Sequence, residues 1–258
     1  MVNNIILSVN ETYDYYGIMP IVYAAYRKFF PECTIYLGSL LNNSANKQLE
    51  KYCDHLVLFE PDKKIPTCNQ GKMMRFYIAA KLGKETCMIN DVDTIPLQRR
   101  FFEERYMKRK EGQLLAIGAE LYRRTKNFGK FPISYMAAEG YVFERLFDIV
   151  DKTWIEFINS FKNVKRVDGK ENLMNPLGQF SDESLIRVIK KDLPILHLKR
   201  VFIPAVDSIA RRTRFLTNRL MQKKYFEAHH LHPISLYKDR LIAIAHYLEA
   251  KEPFFICR

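Results

Sequence analysis

The sequence predicts an α/β fold: a three-layer, mostly parallel sheet with helices on both faces, followed by a helical C-terminal extension. Three observations carry this. Short apolar runs alternate with stretches of helical length from Ile5 through Ile89, the pattern of β-α units. The connections between them are short, as compact crossovers require. The last run, Cys87-Met88-Ile89, runs out into Asn90-Asp91-Val92-Asp93, placing carboxylates at a strand's carboxyl end, the edge where open α/β sheets bind ligands.

The elements follow in order. Ile5–Val9 is a compact apolar strand, and 10–16 a polar, tyrosine-rich loop. A helix spans about 17–30, with Ile18, Val22, Ala25 and Phe29 at helical spacing. Pro20 falls in its first turn, where a missing N–H costs little. Thr34–Leu37 is a strand. Ser44–Tyr52 is a helix with Ser44 as its candidate cap. Leu56–Phe59 is a third strand, and Gln70–Leu82 a helix that ends near Gly83. Beyond the Asp-x-Asp strand, Phe101–Lys110 reads as a charged helix and Leu114–Ile117 as a strand. Tyr135–Ala138 or Tyr141–Phe143 is the next strand, and Arg145–Phe161 a helix. A polar loop over 162–178, a short helix at Ser181–Lys191 and a strand at Ile195–Leu198 follow. Asp207–Lys224 reads as a basic helical segment, and 229–258 as loop plus one helix. No linker marks a second independent domain.

The chain has 258 residues, 48% of them hydrophobic, enough for a sizeable core and against global disorder. Its net charge is +12, which favours phosphate-bearing ligands, nucleic acid or an anionic membrane surface. The five cysteines are scattered with no Cys-x-x-Cys, the usage of reduced thiols in a cytosolic compartment. The first residues read as a strand and not as a targeting peptide, and no run of ~18 apolar residues spans a bilayer.

Carboxylates at a strand end suit a hard divalent cation such as Mg²⁺, which takes one or two from protein and the rest from water and phosphate. A metal–diphosphate site is therefore the expectation for Asp91 and Asp93. The preceding helix carries Lys72 and Arg75 on one face. Both could reach a diphosphate, or could form an ordinary solvated face. The first loop holds Asn10, Tyr13, Tyr15 and Tyr16. Tyrosine offers a flat surface for a nucleobase, although some of these rings are expected to cover the core.

The run KMMRFYIAAKLGKETCMINDVDTIPL, from Lys72, resembles the nucleotide-sugar glycosyltransferases of the GT-A fold, which is Rossmann-related. The resemblance implies one GT-A-like domain over 1–258. Within it, about 1–100 would form the nucleotide-sugar half, about 101–205 the acceptor half and about 206–258 a basic extension. It also implies a nucleoside-diphosphate sugar as donor, UDP favoured over GDP, with Mn²⁺ or Mg²⁺ between the Asp-x-Asp and the diphosphate. The acceptor would be a hydroxyl of a glycan or a lipid-linked molecule. Asp91 would lie near the ribose or sugar and help hold the metal; Asp93 would be the direct ligand. FSDESLIRVI resembles an acidic pair opening a late helix, making Asp182 and Glu183 candidate bases toward the acceptor, or simply caps of that helix. EAHHLHP resembles a carboxyl-terminal metal histidine, with His230 and His232 as candidates; imidazole suits Mn²⁺ better than Mg²⁺. Many members of the family carry an Asn-x-Gly turn where this chain reads YMAAEGYVFER. Glu139 in that stretch is therefore a further candidate base or acceptor contact.

Two other readings compete. A haloacid-dehalogenase-like phosphohydrolase also uses a strand ending Asp-x-Asp, with the first Asp as nucleophile. Its motif usually opens the domain, whereas here three β-α units come first. The non-enzymatic alternative is a basic binder of membrane surfaces or nucleic acid through 207–224. No nucleic-acid-binding signature is present, so a cytoplasmic enzyme with peripheral membrane contact through 207–224 is the fuller expectation.

Overall fold

Side-chain alternation along β1 (Asn4–Val9) sorts the core into two layers. Ile5, Leu7 and Val9 join one hydrophobic cluster, and Ile6 joins the other. The computed structural model describes residues 2–118, 134–161, 192–198, 207–209, 215–229 and 231–251. The further strands are β2 (Thr34–Ser39), β3 (His55–Leu58), β4 (Thr86–Ile89), β5 (Thr94–Pro96), β6 (Leu114–Ile117), β7 (Met136–Glu139), β8 (Ile195–Leu198), β9 (Asp207–Ile209) and β10 (Tyr225–His229). Among the described residues they form a seven-stranded sheet, β3-β2-β1-β4-β7-β6-β8, and a three-stranded sheet, β5-β10-β9. In the larger sheet β7 runs antiparallel to both neighbours, and the other pairings are parallel. The mostly parallel three-layer α/β prediction therefore holds.

On one face pack α2 (Met19–Phe29), the small sheet and α9 (Ile234–Leu248). On the other lie α4 (Thr67–Ala80), α6 (Gly140–Phe147) and α7 (Trp154–Asn159). Pro20 does sit in the first turn of α2. Gly83, at φ +57°, turns the chain after α4. Gly140 is demanded by packing: a Cβ there would lie 2.5 Å from the Ala79 carbonyl oxygen, so α6 starts hard against the end of α4.

Several elements differ from expectation. The predicted loop at 10–16 contains a single helical turn, α1 (Tyr13–Tyr16). In α3 (Asn43–Leu49) the cap is Asn42 and not Ser44, because the Asn42 carboxamide accepts from the Ala45 N–H at 3.0 Å. Of the two candidate strands after β6 the first is right; Tyr141–Phe143 lies within α6. The helix expected at 145–161 is broken by Asp148 and Asp151, both in left-handed conformation at φ 52° and 59°. It restarts as α7 on a Thr153/Glu156 capping box. The charged helix after β5 is short, α5 (Arg100–Tyr106). Asp207–Lys224 is not one basic helix: it contains β9 and the short α8 (Thr217–Met221). The predicted loop at 162–178 and helix at 181–191 lie outside the described residues. Among the described residues no helix is long and apolar enough to cross a membrane.

Candidate functional site

The chain builds β1, β2 and β3 to one side and then places β4 on the other side of β1. That reversal opens a crevice at the carboxyl ends of β1 and β4, the standard ligand position in such sheets. Asn10 follows β1 and Asp91 follows β4, so both border it.

The Asp-x-Asp segment is a tight turn, closed by the Thr94 N–H donating to the Asp91 carbonyl at 3.0 Å. Val92, 4% exposed, points into the core and pins the turn. Asn90 is fully buried and braces it from behind. Its Nδ2 donates to the Tyr26 hydroxyl at 2.6 Å and to the Thr94 carbonyl at 3.1 Å, and its Oδ1 accepts from the Asp91 N–H at 3.0 Å. Sequence reasoning missed this brace, although a polar residue ending an apolar strand was a visible signal.

Arg75, in the middle of α4 and 2% exposed, donates to Asp91 Oδ1 at 2.5 Å. The Ser134 hydroxyl donates to Asp91 Oδ2. Desolvation pushes the Asp91 pKa up. The charge of Arg75, the hydrogen bonds from Ser134 and Arg75, and the charge of Lys72 overcome it and hold the carboxyl below its usual range. The Lys72–Arg75 face therefore does lie toward Asp91, but Arg75 is engaged by the protein itself. Ser134, from a distant part of the chain, had no signal in the sequence.

Asp93 is 8% exposed. Its Oδ2 stands 3.7 Å from His232 Nε2. The small sheet brings them together: β10 runs antiparallel to β5, with His229 opposite Thr94, so the chain leaves β10 beside Asp93. The Ile234 N–H then donates to Asp14 Oδ1 at 2.9 Å, tying this segment to the first loop. The Tyr15 ring lies 5.8 Å from that of His232. Burial, then the charges of Asp93, Asp91, Asp14 and Cys68, push the Tyr15 phenol up to about 12.

The remaining candidates are placed as follows. Asn10 is buried and its Oδ1 accepts from the Thr12 N–H at 3.2 Å, shaping the loop. Tyr13 is exposed and meets Tyr16 edge-on at 5.4 Å. Glu139 is not brought to the crevice. It pairs with Thr86, at the opposite end of β4 from Asp91, and accepts from Arg109 at 2.5 and 2.8 Å and from the Gly112 N–H at 3.1 Å. Asp182, Glu183 and His230 lie outside the described residues.

Among the described residues, no group of three His, Cys, Asp or Glu side chains stands ready around one metal position. Asp93 and His232 nevertheless fit a shared ion. Bonds of roughly 2.0–2.2 Å from a small divalent cation to oxygen and nitrogen allow two donors to stand up to ~4 Å apart. One carboxylate and one imidazole are both known ligand types for divalent cations.

No protein-family model and no curated protein sequence matches the chain. Solved structures do. The galactosyltransferase LgtC, crystallised with donor and acceptor sugar analogs, matches at 11% identity over 99% of this chain and 97% of that one, with a TM-score of 0.50. The glycosyltransferase GlyE of Streptococcus pneumoniae matches at 13% identity over 77% of this chain and 45% of that one, TM-score 0.43. A mannose-1-phosphate geranyltransferase from Thermus thermophilus matches at 9% identity, covering 81% of this chain and 82% of that one, TM-score 0.44. At such identities what is shared is architecture, and the full-length match to LgtC shows that this chain has that structure's GT-A-type α/β fold.

Proposed function

We propose that the chain is a metal-dependent glycosyltransferase that moves a hexosyl or pentosyl group from a nucleoside-diphosphate sugar, UDP before GDP, to a hydroxyl of a glycan or lipid-linked acceptor. The observation that carries this reading is the meeting of Asp93 and His232 at the crevice between β1 and β4. LgtC, of the same fold, is a galactosyltransferase seen with donor and acceptor sugar analogs.

In this reading Asp93 and His232 would hold Mn²⁺ or Mg²⁺, and the ion would supply charge stabilisation for the departing diphosphate. Asp91, kept ionised and oriented by Arg75 and Ser134, faces the ribose or sugar and is 32% exposed on its side chain. Lys72 supplies a mobile cation for phosphate. Tyr15 stays a neutral phenol and can donate a hydrogen bond beside His232. Asp182 or Glu183 is the base toward the acceptor if the enzyme inverts. The enzyme works in the cytoplasm or at its membrane surface.

A phosphohydrolase needs Asp91 as an open nucleophile. Both its oxygens accept hydrogen bonds from Arg75 and Ser134, which argues for the glycosyltransferase. The test is a thermal-shift screen of UDP- and GDP-sugars with and without Mn²⁺, followed by detection of transferred or released sugar. A melting temperature raised only when metal and nucleotide are both present is expected. No shift with any nucleotide, or hydrolysis of an aryl phosphate instead, would sink it.

A further inference from the structure

Away from the Asp-x-Asp crevice, a cavity of about 590 Å³ lies between α2, the segment before β3 and the end of α9. That is within the usual volume of small-molecule sites, ~300–1,000 Å³. Its cationic wall belongs to the opposite edge of the sheet. Arg27 donates to the Cys33 carbonyl at 3.0 Å, just before β2 begins, and Lys51 and Tyr52 precede β3.

Arg27, Lys28, Lys51 and Lys251 line the cavity. Arg27 pairs with Asp54, and Lys28 with Glu249 at 2.6 Å. Among the described lining residues, four are basic and one, Glu249, is acidic. The cations stand over rings: Arg27 lies 5.1 Å from the centroid of Tyr23 and Lys51 5.0 Å from that of Tyr52. The two tyrosines meet edge-on at 6.1 Å. Pro20, Ala24 and Leu248 add an apolar floor. Guanidinium and ammonium groups recognise phosphate. Tyrosine faces and an aliphatic floor favour a flat or apolar group attached to it.

We propose that this cavity is a second ligand site, taking a phosphate-bearing small molecule with an aromatic or apolar group. Its basic wall lies at the amino ends of β2 and β3, whereas the donor crevice is at the carboxyl ends of β1 and β4, and a concave pocket fits a discrete ligand better than a flat surface does.

The test is titration calorimetry of the full chain with phenyl phosphate, with inorganic phosphate, and with vesicles of phosphatidylglycerol in phosphatidylcholine. Each is repeated on a Lys51→Gln/Lys251→Gln variant. Both lysines are exposed, so the fold should persist. Phenyl phosphate should bind saturably and more tightly than inorganic phosphate, and the variant should weaken it by about tenfold or more. Excess UDP should leave that binding unchanged, which separates this site from the donor reading. Binding to the anionic vesicles alone, lost in the variant, keeps the site and assigns the phosphate to a lipid headgroup. Undiminished binding in the variant, competition by UDP, or no binding of any probe overturns the proposal.

Discussion

Arg75 and Asp91 form an ion pair at 2.5 Å that joins the middle of α4 to the end of β4. The arginine is 2% exposed and the aspartate 32%, so one partner is sealed in the protein while the other still faces the crevice. A guanidinium in this place fixes a carboxylate for a ligand without itself needing to touch it. Lys72, one turn earlier, acts on the same carboxylate through its charge.

Replacing Arg75 by Met should therefore cost about 1–3 kcal/mol, below the penalty for a fully buried pair because the carboxylate left behind keeps access to solvent, whereas Lys72→Met should leave stability nearly unchanged. The pH dependence has a definite sign. Asp91 has a depressed folded pKa, so its contribution is present above the unfolded value of ~3.9 and fades as pH falls through the lower folded value. In Arg75→Met the folded pKa returns toward the unfolded value, so that acid limb should shrink or vanish. Urea melts across pH 2–7 on the two variants measure it; equal stability at every pH would return Arg75 to a ligand-contact role.

The Asn90 brace gives a second expectation. Asn90→Ala removes the donor to Tyr26 and the acceptor of the Asp91 N–H. Leaving buried polar groups unpaired costs about 1–3 kcal/mol each. The variant should lose stability and also lose part of any Mn²⁺-dependent nucleotide binding, because the turn that presents Asp91 and Asp93 loosens. Thermal melts with and without UDP and Mn²⁺ separate the effects. Lost stability with intact metal-dependent binding would mean that Val92 alone holds the turn.

What could be read in advance follows physical range. The β-α alternation and the Asp-x-Asp edge were legible because period-2 and helical patterns are local. The break at Asp148 was not, because an aspartate adopting a left-handed conformation looks like any helix-surface aspartate. The Thr153/Glu156 capping box that restarts the helix was visible and went unread. His232 could be named by resemblance, but its approach to Asp93 depends on β10 pairing with β5 across most of the chain. The Ser134–Asp91 contact is equally long-range. Glu139 looked like a site residue beside a glycine; sheet direction decided otherwise, since an antiparallel β7 carries it to the far edge.

Tyr15 supplies a titration test. Its phenol is pushed up to about 12 by burial and by the nearby carboxylates, so it should stay neutral where exposed tyrosines, near ~10, have ionised. In a spectrophotometric titration, Tyr15→Phe should remove absorbance change from the limb near pH 12 and none from the limb near pH 10. Asp93→Asn should shift the Tyr15 transition downward, because one of the repelling charges is gone. A Tyr15 transition near 10 would place its ring in water and away from the acidic turn.

The last prediction separates the candidate bases. Glu139 and Arg109 are 9% and 11% exposed and bound bidentately. Glu139→Gln should thus cost about 1–3 kcal/mol by leaving Arg109 poorly paired, with turnover per folded molecule unchanged. The folded pKa of Glu139 is depressed, so its contribution holds above the unfolded value of ~4.3 and falls away as pH drops below it; the amide variant should lack that acid limb. Asp182→Asn or Glu183→Gln should behave oppositely if either is the base: stable protein, donor binding preserved, and turnover lower by roughly two to four powers of ten. Sugar transfer from a UDP-sugar, measured alongside chemical denaturation on all three variants, decides it. Normal transfer in both acidic-pair variants with a loss in Glu139→Gln would require Glu139 to reach the acceptor from the far edge of the sheet. Normal transfer in all three would point to chemistry without a protein base, and so to retention at the anomeric carbon.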